Sequence, residues 1–170
     1  MSKYGFVGLV GAIVLILDQL TKVYIRANFQ LYESVPVIDG WFHLTYVLNP
    51  GGAFGMLRDA DESVRLPFFL ILSVVAVGAL LMFVRQLPTD LRLLQFGLGL
   101  VLGGALGNLI DRAWFGHVTD FLDVFWGTYH WPAFNVADSG ISVGIVILLY
   151  YSVFTPEPND ETDAPVQRAA

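Results

Sequence analysis

Apolar residues gather along this chain into four long runs separated by polar or turn-forming segments. The first is unbroken over residues 5–17 and continues past Asp18 and Lys22 to Tyr24. The second, 66–84, carries no charge, and Pro67 is expected in its first turn, where a missing N–H does no harm. The third spans 93–110, between Arg92 and the Asp111-Arg112 pair. The fourth, 139–154, is lengthened toward its start by Asn135, Val136 and Ala137. A helix needs ~20 residues to cross ~30 Å of hydrocarbon. The pattern therefore predicts four transmembrane helices, at about residues 5–26, 66–84, 92–111 and 137–154. Lys3 and the first run have the general form of a signal peptide, but no small-x-small cleavage site follows, so a retained helix is expected.

The connections are unequal. Only the short segment 85–92 joins the second and third runs, whereas the other two connections are several times longer. Helices that alternate in direction put those two longer segments on one side of the membrane, so chemistry is expected there. Within the longest, residues 35–38 and 41–48 are rich in β-branched and aromatic side chains and flank Asp39-Gly40, a hairpin turn pair. Asn49-Pro50-Gly51-Gly52 breaks the second of these strands. A small sheet on the membrane surface, over about 31–57, is expected. The other long connection is crowded with aromatic side chains from Trp114 to Phe134, the composition of an interfacial belt. Gly99, Gly103 and Gly107 make a stripe on which another helix can pack closely.

Composition turns this pattern into an exclusion. Of 170 residues, 55% are strongly apolar and 14% charged, where about 25% charged is usual in a soluble domain. A soluble enzyme is thereby excluded; the surplus apolar surface has to face lipid. The absence of cysteine removes disulfides, thiolate metal sites and a cysteine nucleophile. Half of the net charge of −6 sits in residues 155–170, where four acids oppose Arg168, and this tail reads as disordered. No basic patch points to nucleic acid. Counting cations by side gives Lys3, Arg85, Arg92 and Arg168 against Arg26, Arg58, Arg65 and Arg112, so the positive-inside rule leaves the orientation open.

Against this background the polar residues stand out, since an ionisable group at a membrane helix centre costs ~2.5–3.5 kcal/mol on insertion scales. Asp18 and Lys22 are spaced i, i+4 and can pair. Asn108 and Arg112 share that spacing at the same membrane face, with Asp111 expected to balance Arg112. Asn49, Asp120, Asp123, Asn135 and Asp138 fall on that side too. No HExxH and no phosphate-cradling glycine loop is present. Ser139 or Ser142 with Lys22 could form a Ser/Lys dyad, but Asp18 would hold the lysine as a cation. Two carboxylates that share a proton fit better: one polarises a carbonyl while the other activates water. Asp138 with either Asp120 or Asp123 supplies them, and spacing does not choose. A small transporter or proton relay is the alternative from another class.

Five blocks then appear in order: residues 17–22 (LDQLTK), 49–54 (NPGGAF), 103–112 (GGALGNLIDR), 117–121 (HVTDF) and 134–139 (FNVADS). Together they closely resemble the bacterial lipoprotein signal peptidases (signal peptidase II). The resemblance implies an all-α polytopic membrane protein, four helices with a small extracytoplasmic sheet, forming one peptidase domain over 1–154. It implies an aspartyl endopeptidase that removes the signal peptide from diacylglyceryl-modified prolipoproteins, cutting before the lipidated cysteine. Its catalytic acids fall on Asp120 and Asp138, leaving Asp123 a bystander. Substrate-binding positions fall on Asn49, Gly51, Asn108, Arg112 and Asn135, and supporting ones on Asp18, Lys22, Gly104 and Ala137. Neither metal nor other cofactor is implied, and the expected partners are the substrate and membrane lipid, with the chain a monomer. The location implied is the cytoplasmic membrane, with both termini cytoplasmic and the site near the outer leaflet.

Overall fold

The computed structural model describes residues 1–51, 57 and 60–154. Gly52 to Phe54 of the second block, Arg58, and the acidic tail lie outside the described residues. Four long helices run as α1 (Lys3–Asn28), α2 (Glu62–Gln86), α3 (Arg92–Phe115) and α4 (Val136–Phe154), and each is long and apolar enough to cross a membrane. Four strands join them: β1 (Ser34–Ile38), β2 (Phe42–Asn49), β3 (Val118–Trp126) and β4 (Tyr129–His130).

The hub is α3. More than half of its span is buried, against about a tenth in α2 and in α4. Glycine accounts for this: Gly99 and Gly103 meet Val10, Gly11 and Val14 of α1, while Gly97 meets Ile147 and Gly144 of α4. A side chain at Gly104 would strike the carbonyl of Ala137, and one at Gly107 would come within 2.5 Å of Asp18 Oδ2. The four-residue stripe therefore brings α1 against the hub at the level where Asp18 is needed. Lipid-facing surface is left on the outer helices, as at Leu20, Ile71 and Val146, each more than 60% exposed.

The sheet is antiparallel in the order β1-β2-β3-β4. Gly40 closes the β1–β2 hairpin at φ +76°, a value that favours glycine. The sheet is larger than the 31–57 region expected. The aromatic connection after α3 contains β3, which pairs with β2; its dense rings mask a strand that β-branched and aromatic residues favour. A register shift between Leu44 and Val47 of β2 ends with Val47 opposite Asp120. Bulges re-aim side chains, and beyond this one Asn49 and Asp120 meet diagonally across the two strands.

Pro67 departs from its expected place. Helix α2 starts at Glu62, so Pro67 lies in the second turn, and the Ser63 carbonyl loses the N–H it would otherwise accept.

Candidate active site

At the strand end of the bundle, β2, β3, α3 and α4 each supply one or two polar side chains to a single cluster. Asn135 precedes the first residue of α4, and its Oδ1 accepts from the backbone N–H of Asp138 at 2.9 Å. Asp138 Oδ2 accepts in return from the Asn135 N–H at 3.3 Å. This is a reciprocal cap of the helix start, built from Asn and Asp. It fixes the Asp138 carboxylate at the first turn of α4.

Asp120 reaches the same place from β3 and is 2% exposed. Its Oδ1 accepts from Asn135 Nδ2 at 2.7 Å and its Oδ2 from Asn49 Nδ2 at 3.0 Å. Asp138 Oδ1 accepts from Asn108 Nδ2 at 2.8 Å, and Asn108 Oδ1 accepts from Asn135 Nδ2 at 3.3 Å. Both carboxylates thus hang on one Asn108–Asn135 amide frame. Burial, and behind it the charge of Asp138, pushes the Asp120 carboxyl up from 3.8 to about 7; Asn49, Asn135 and Lys22 pull the other way. A buried carboxyl beside a second one is expected to behave so.

Arg112 leans over the cluster. It donates to the Gly51 carbonyl at 3.3 Å and the Asn108 carbonyl at 3.4 Å, with its guanidinium 5.2 Å from the Phe69 ring of α2. Its Nε is buried without a partner among the described residues. Gly51 in turn donates its N–H to Asn49 Oδ1 at 3.1 Å.

Two recesses open beside the carboxylates. One of about 540 Å³ runs along α4, lined by Asp138, Ser139, Ile141 and Val143 and by the apolar segment from Trp131 to Phe134. The other, of about 320 Å³, is lined by Asp120, Asn49, Pro50 and Gly51. Pro132 and Ala133 border both.

Behind the amides, fully buried Lys22 pairs with Asp18 at 2.9 Å. Asp18 Oδ1 also accepts the N–H of Ala137 at 2.9 Å, which ties α1 to the start of α4. Asp111 does not balance Arg112 as expected. It pairs with Lys22 at 3.1 Å and with Arg26 at 3.6 Å, and holds the N–H of Thr119 at 3.0 Å. The reason is angular: Asp111 continues the four-residue stripe of Gly99, Gly103 and Gly107 toward α1. That spacing is the signal in the sequence that marks Asp111 as a partner of α1; Gln19, which carries no such signal, donates to Asp18 Oδ2 at 3.1 Å and to Asp111 Oδ1 at 3.3 Å.

Asp123 stands apart. It is three residues from Asp120 on a strand whose side chains alternate, hence on the other face, where it meets His130 at 2.9 Å. The Asp123→Asn variant is expected to cleave substrate within about threefold of the parent, since exposed pairs contribute ~0–1 kcal/mol; initial rates check it. The Ser/Lys pairing has no geometry either: Lys22 donates to Asp18, Asp111 and Asn108, and Ser139 Oγ donates to the Asn135 carbonyl at 2.9 Å.

Fold and site define a polytopic membrane protein whose polar cluster lies where the helices meet a surface sheet. The signal peptidase (SPase) II family model matches residues 10–154, and the chain belongs to that family. It is 57% identical over 134 residues, 79% of this chain and 82% of the relative, to the lipoprotein signal peptidase of Geobacter sulfurreducens. With that of Desulforapulum autotrophicum it shares 49% over 152 residues, 89% of this chain and 93% of the relative. Among solved structures it resembles a bacterial membrane enzyme determined by the in meso method at 2.3 Å, with TM-score 0.77 and 32% identity over 91% of this chain and 93% of that one. The chain is therefore a peptidase of the signal peptidase II family, and among its described residues four helices are long and apolar enough to span a membrane.

Proposed function

We propose that the chain is an aspartyl endopeptidase that removes signal peptides from diacylglyceryl-modified prolipoproteins, with Asp120 and Asp138 as the catalytic pair. One observation carries the reading: two carboxylates from different chain segments share an amide frame, and Asp120 is pushed to about 7 by burial and its neighbour. Such a pair holds one proton near neutral pH. Protonated Asp120 donates to the scissile carbonyl while the Asp138 carboxylate takes a proton from water, whose oxygen attacks the carbonyl carbon. The tetrahedral diol then collapses: Asp138 passes its proton to the leaving nitrogen, and Asp120 recovers one from the diol hydroxyl.

The surroundings suit a peptide that arrives through lipid. A helix unwound to expose one bond brings bare amides into a poorly hydrated place, where each unpaired group costs several kcal/mol. Asn49 and Gly51 line the recess beside Asp120, and Arg112 lies next to them, donating to the Gly51 carbonyl. The apolar recess along α4 suits hydrocarbon, and the exposed rings of Trp114, Trp126 and Trp131 suit headgroup depth. The substrate class follows the lipoprotein signal peptidases that the chain resembles.

The working unit in this reading is residues 1–154, acting as a monomer without a cofactor. It lies in the cytoplasmic membrane with both termini cytoplasmic. The N-terminus lies at the α2–α3 turn, where Arg92 donates to the Met1 carbonyl at 3.0 Å, and the carboxylates lie at the opposite end of the bundle. That end faces the outer leaflet. Purified protein in detergent is expected to cleave a diacylglyceryl-modified prolipoprotein, read as a gel shift, and to leave the unlipidated precursor intact. Equal cleavage of both would overturn the substrate class.

A further inference from the structure

A buried ammonium can only donate hydrogen bonds. Lys22 is fully buried, and its Nζ lies 2.9 Å from Asp18 Oδ2, 3.1 Å from Asp111 Oδ2 and 3.0 Å from Asn108 Oδ1. Two carboxylates already balance its charge, so the third contact, to a neutral amide, serves something else. The Asn108 atom facing Lys22 has to be the carbonyl oxygen. Its NH₂ therefore points the opposite way and donates to Asp138 Oδ1 at 2.8 Å. A flipped amide would set NH₂ against the ammonium and against Asn135 Nδ2, and a carbonyl against the Asp138 carboxylate. All three contacts would join like to like.

The polarity continues to the second acid. Asn108 Oδ1 accepts from Asn135 Nδ2, which also donates to Asp120 Oδ1 at 2.7 Å. On the far side Asp111 holds the N–H of Thr119, the residue before Asp120, and Arg26 donates to Thr119 Oγ1 at 3.1 Å. Side chains that meet the lysine cluster thus orient groups on both catalytic elements, β3 and α4.

We propose that Lys22 is a positioning residue for the peptidase reaction: clamped between Asp18 and Asp111, it fixes the Asn108 amide so that a donor faces Asp138 throughout turnover. This rests on the aspartyl reading. There Asp138 alternates between carboxylate and acid, so its own attraction for the Asn108 NH₂ weakens midway through each cycle. The Lys22 contact does not change.

Lys22→Met by itself would strand the buried Asp18 carboxylate and leave Asp111 with Arg26 as its remaining cation, a strongly destabilising change. The paired variant Asp18→Asn/Lys22→Met removes one charge of each sign and leaves Asp111 with Arg26, 3.6 Å away. The triple variant that adds Asp111→Asn is the second form, should the pair not fold. Each is purified in detergent, checked by thermal unfolding, and assayed with lipidated prolipoprotein beside the parent and Asp120→Asn. The expected result is a folded protein whose kcat falls about 100-fold while KM stays within about threefold, the mark of lost alignment rather than lost binding. In an Asn108→Ala background the same substitutions are expected to add little, because the effect passes through that amide. A folded variant with parental kcat, or a loss that simply adds to that of Asn108→Ala, overturns the inference. An active Asp120→Asn would instead overturn the aspartyl reading beneath it.

Discussion

Asp120→Asn and Asp138→Asn are each expected to lower turnover of a lipidated prolipoprotein by at least about a thousandfold, with the protein still folded. The expectation follows from the division of labour proposed for the two acids. An amide at 120 cannot lend a proton to the carbonyl oxygen, and an amide at 138 cannot take one from water. The fold should survive either change, because Asn fills the same space and keeps one acceptor for Asn135 or Asn108, losing only the second contact, to Asn49 at 120 or to the Asn135 N–H at 138. Substrate binding is expected to persist in both variants, so co-purification of uncleaved precursor accompanies the loss of rate. Residual cleavage near the parent's rate in either variant contradicts the pair.

The second large effect is on stability, and it runs in the opposite direction. Asp120 titrates near 7 in the fold against 3.8 for the free carboxyl. A folded-state value above the unfolded one means that the stability this group contributes is full below 3.8 and is lost as pH rises through about 7. The rise from 3.8 to about 7 corresponds to at most on the order of 4 kcal/mol. Asp120→Asn imitates the protonated acid at every pH. Its advantage over the parent should therefore be absent near pH 4, grow toward pH 7 and level off above. Thermal unfolding in detergent at several pH values reads this directly. A variant that is dead in catalysis and more stable at pH 8 is difficult to explain by any merely structural role for Asp120.

Much of this architecture was legible in the sequence, for reasons of length and solvent. Four apolar runs of about twenty residues have few ways to avoid a bilayer, and all four became spanning helices. Asp39-Gly40 announced the first hairpin because its chemistry is local. Strand β3 was harder to see: its rings satisfy the composition of an interfacial belt and of a strand at once, and only pairing with β2 separates the two. The same strand explains why spacing left Asp120 and Asp123 equivalent. A two-residue alternation sends them to opposite faces, and alternation counts only once the segment is known to be extended. Asp111 shows a different limit. Its neighbour in sequence is Arg112, its partners in space are Lys22 and Arg26 of α1, and only the close approach at Gly107 brings those together. Pro67 lies one turn deeper than expected because the helix already begins at Glu62, in a segment where only Val64 is apolar.

The coupling between the two carboxyls is open to direct titration. With aspartate labelled at its side-chain carboxyl carbon, the resonance assigned to Asp120 by its loss in Asp120→Asn can be followed against pH in the parent and in Asp138→Asn. The expected midpoint is near 7 in the parent, and it should fall in Asp138→Asn while staying above 3.8, because the charge is gone and the burial remains. A parental midpoint near 4, or one that Asp138→Asn leaves unmoved, would contradict a shared proton at this site.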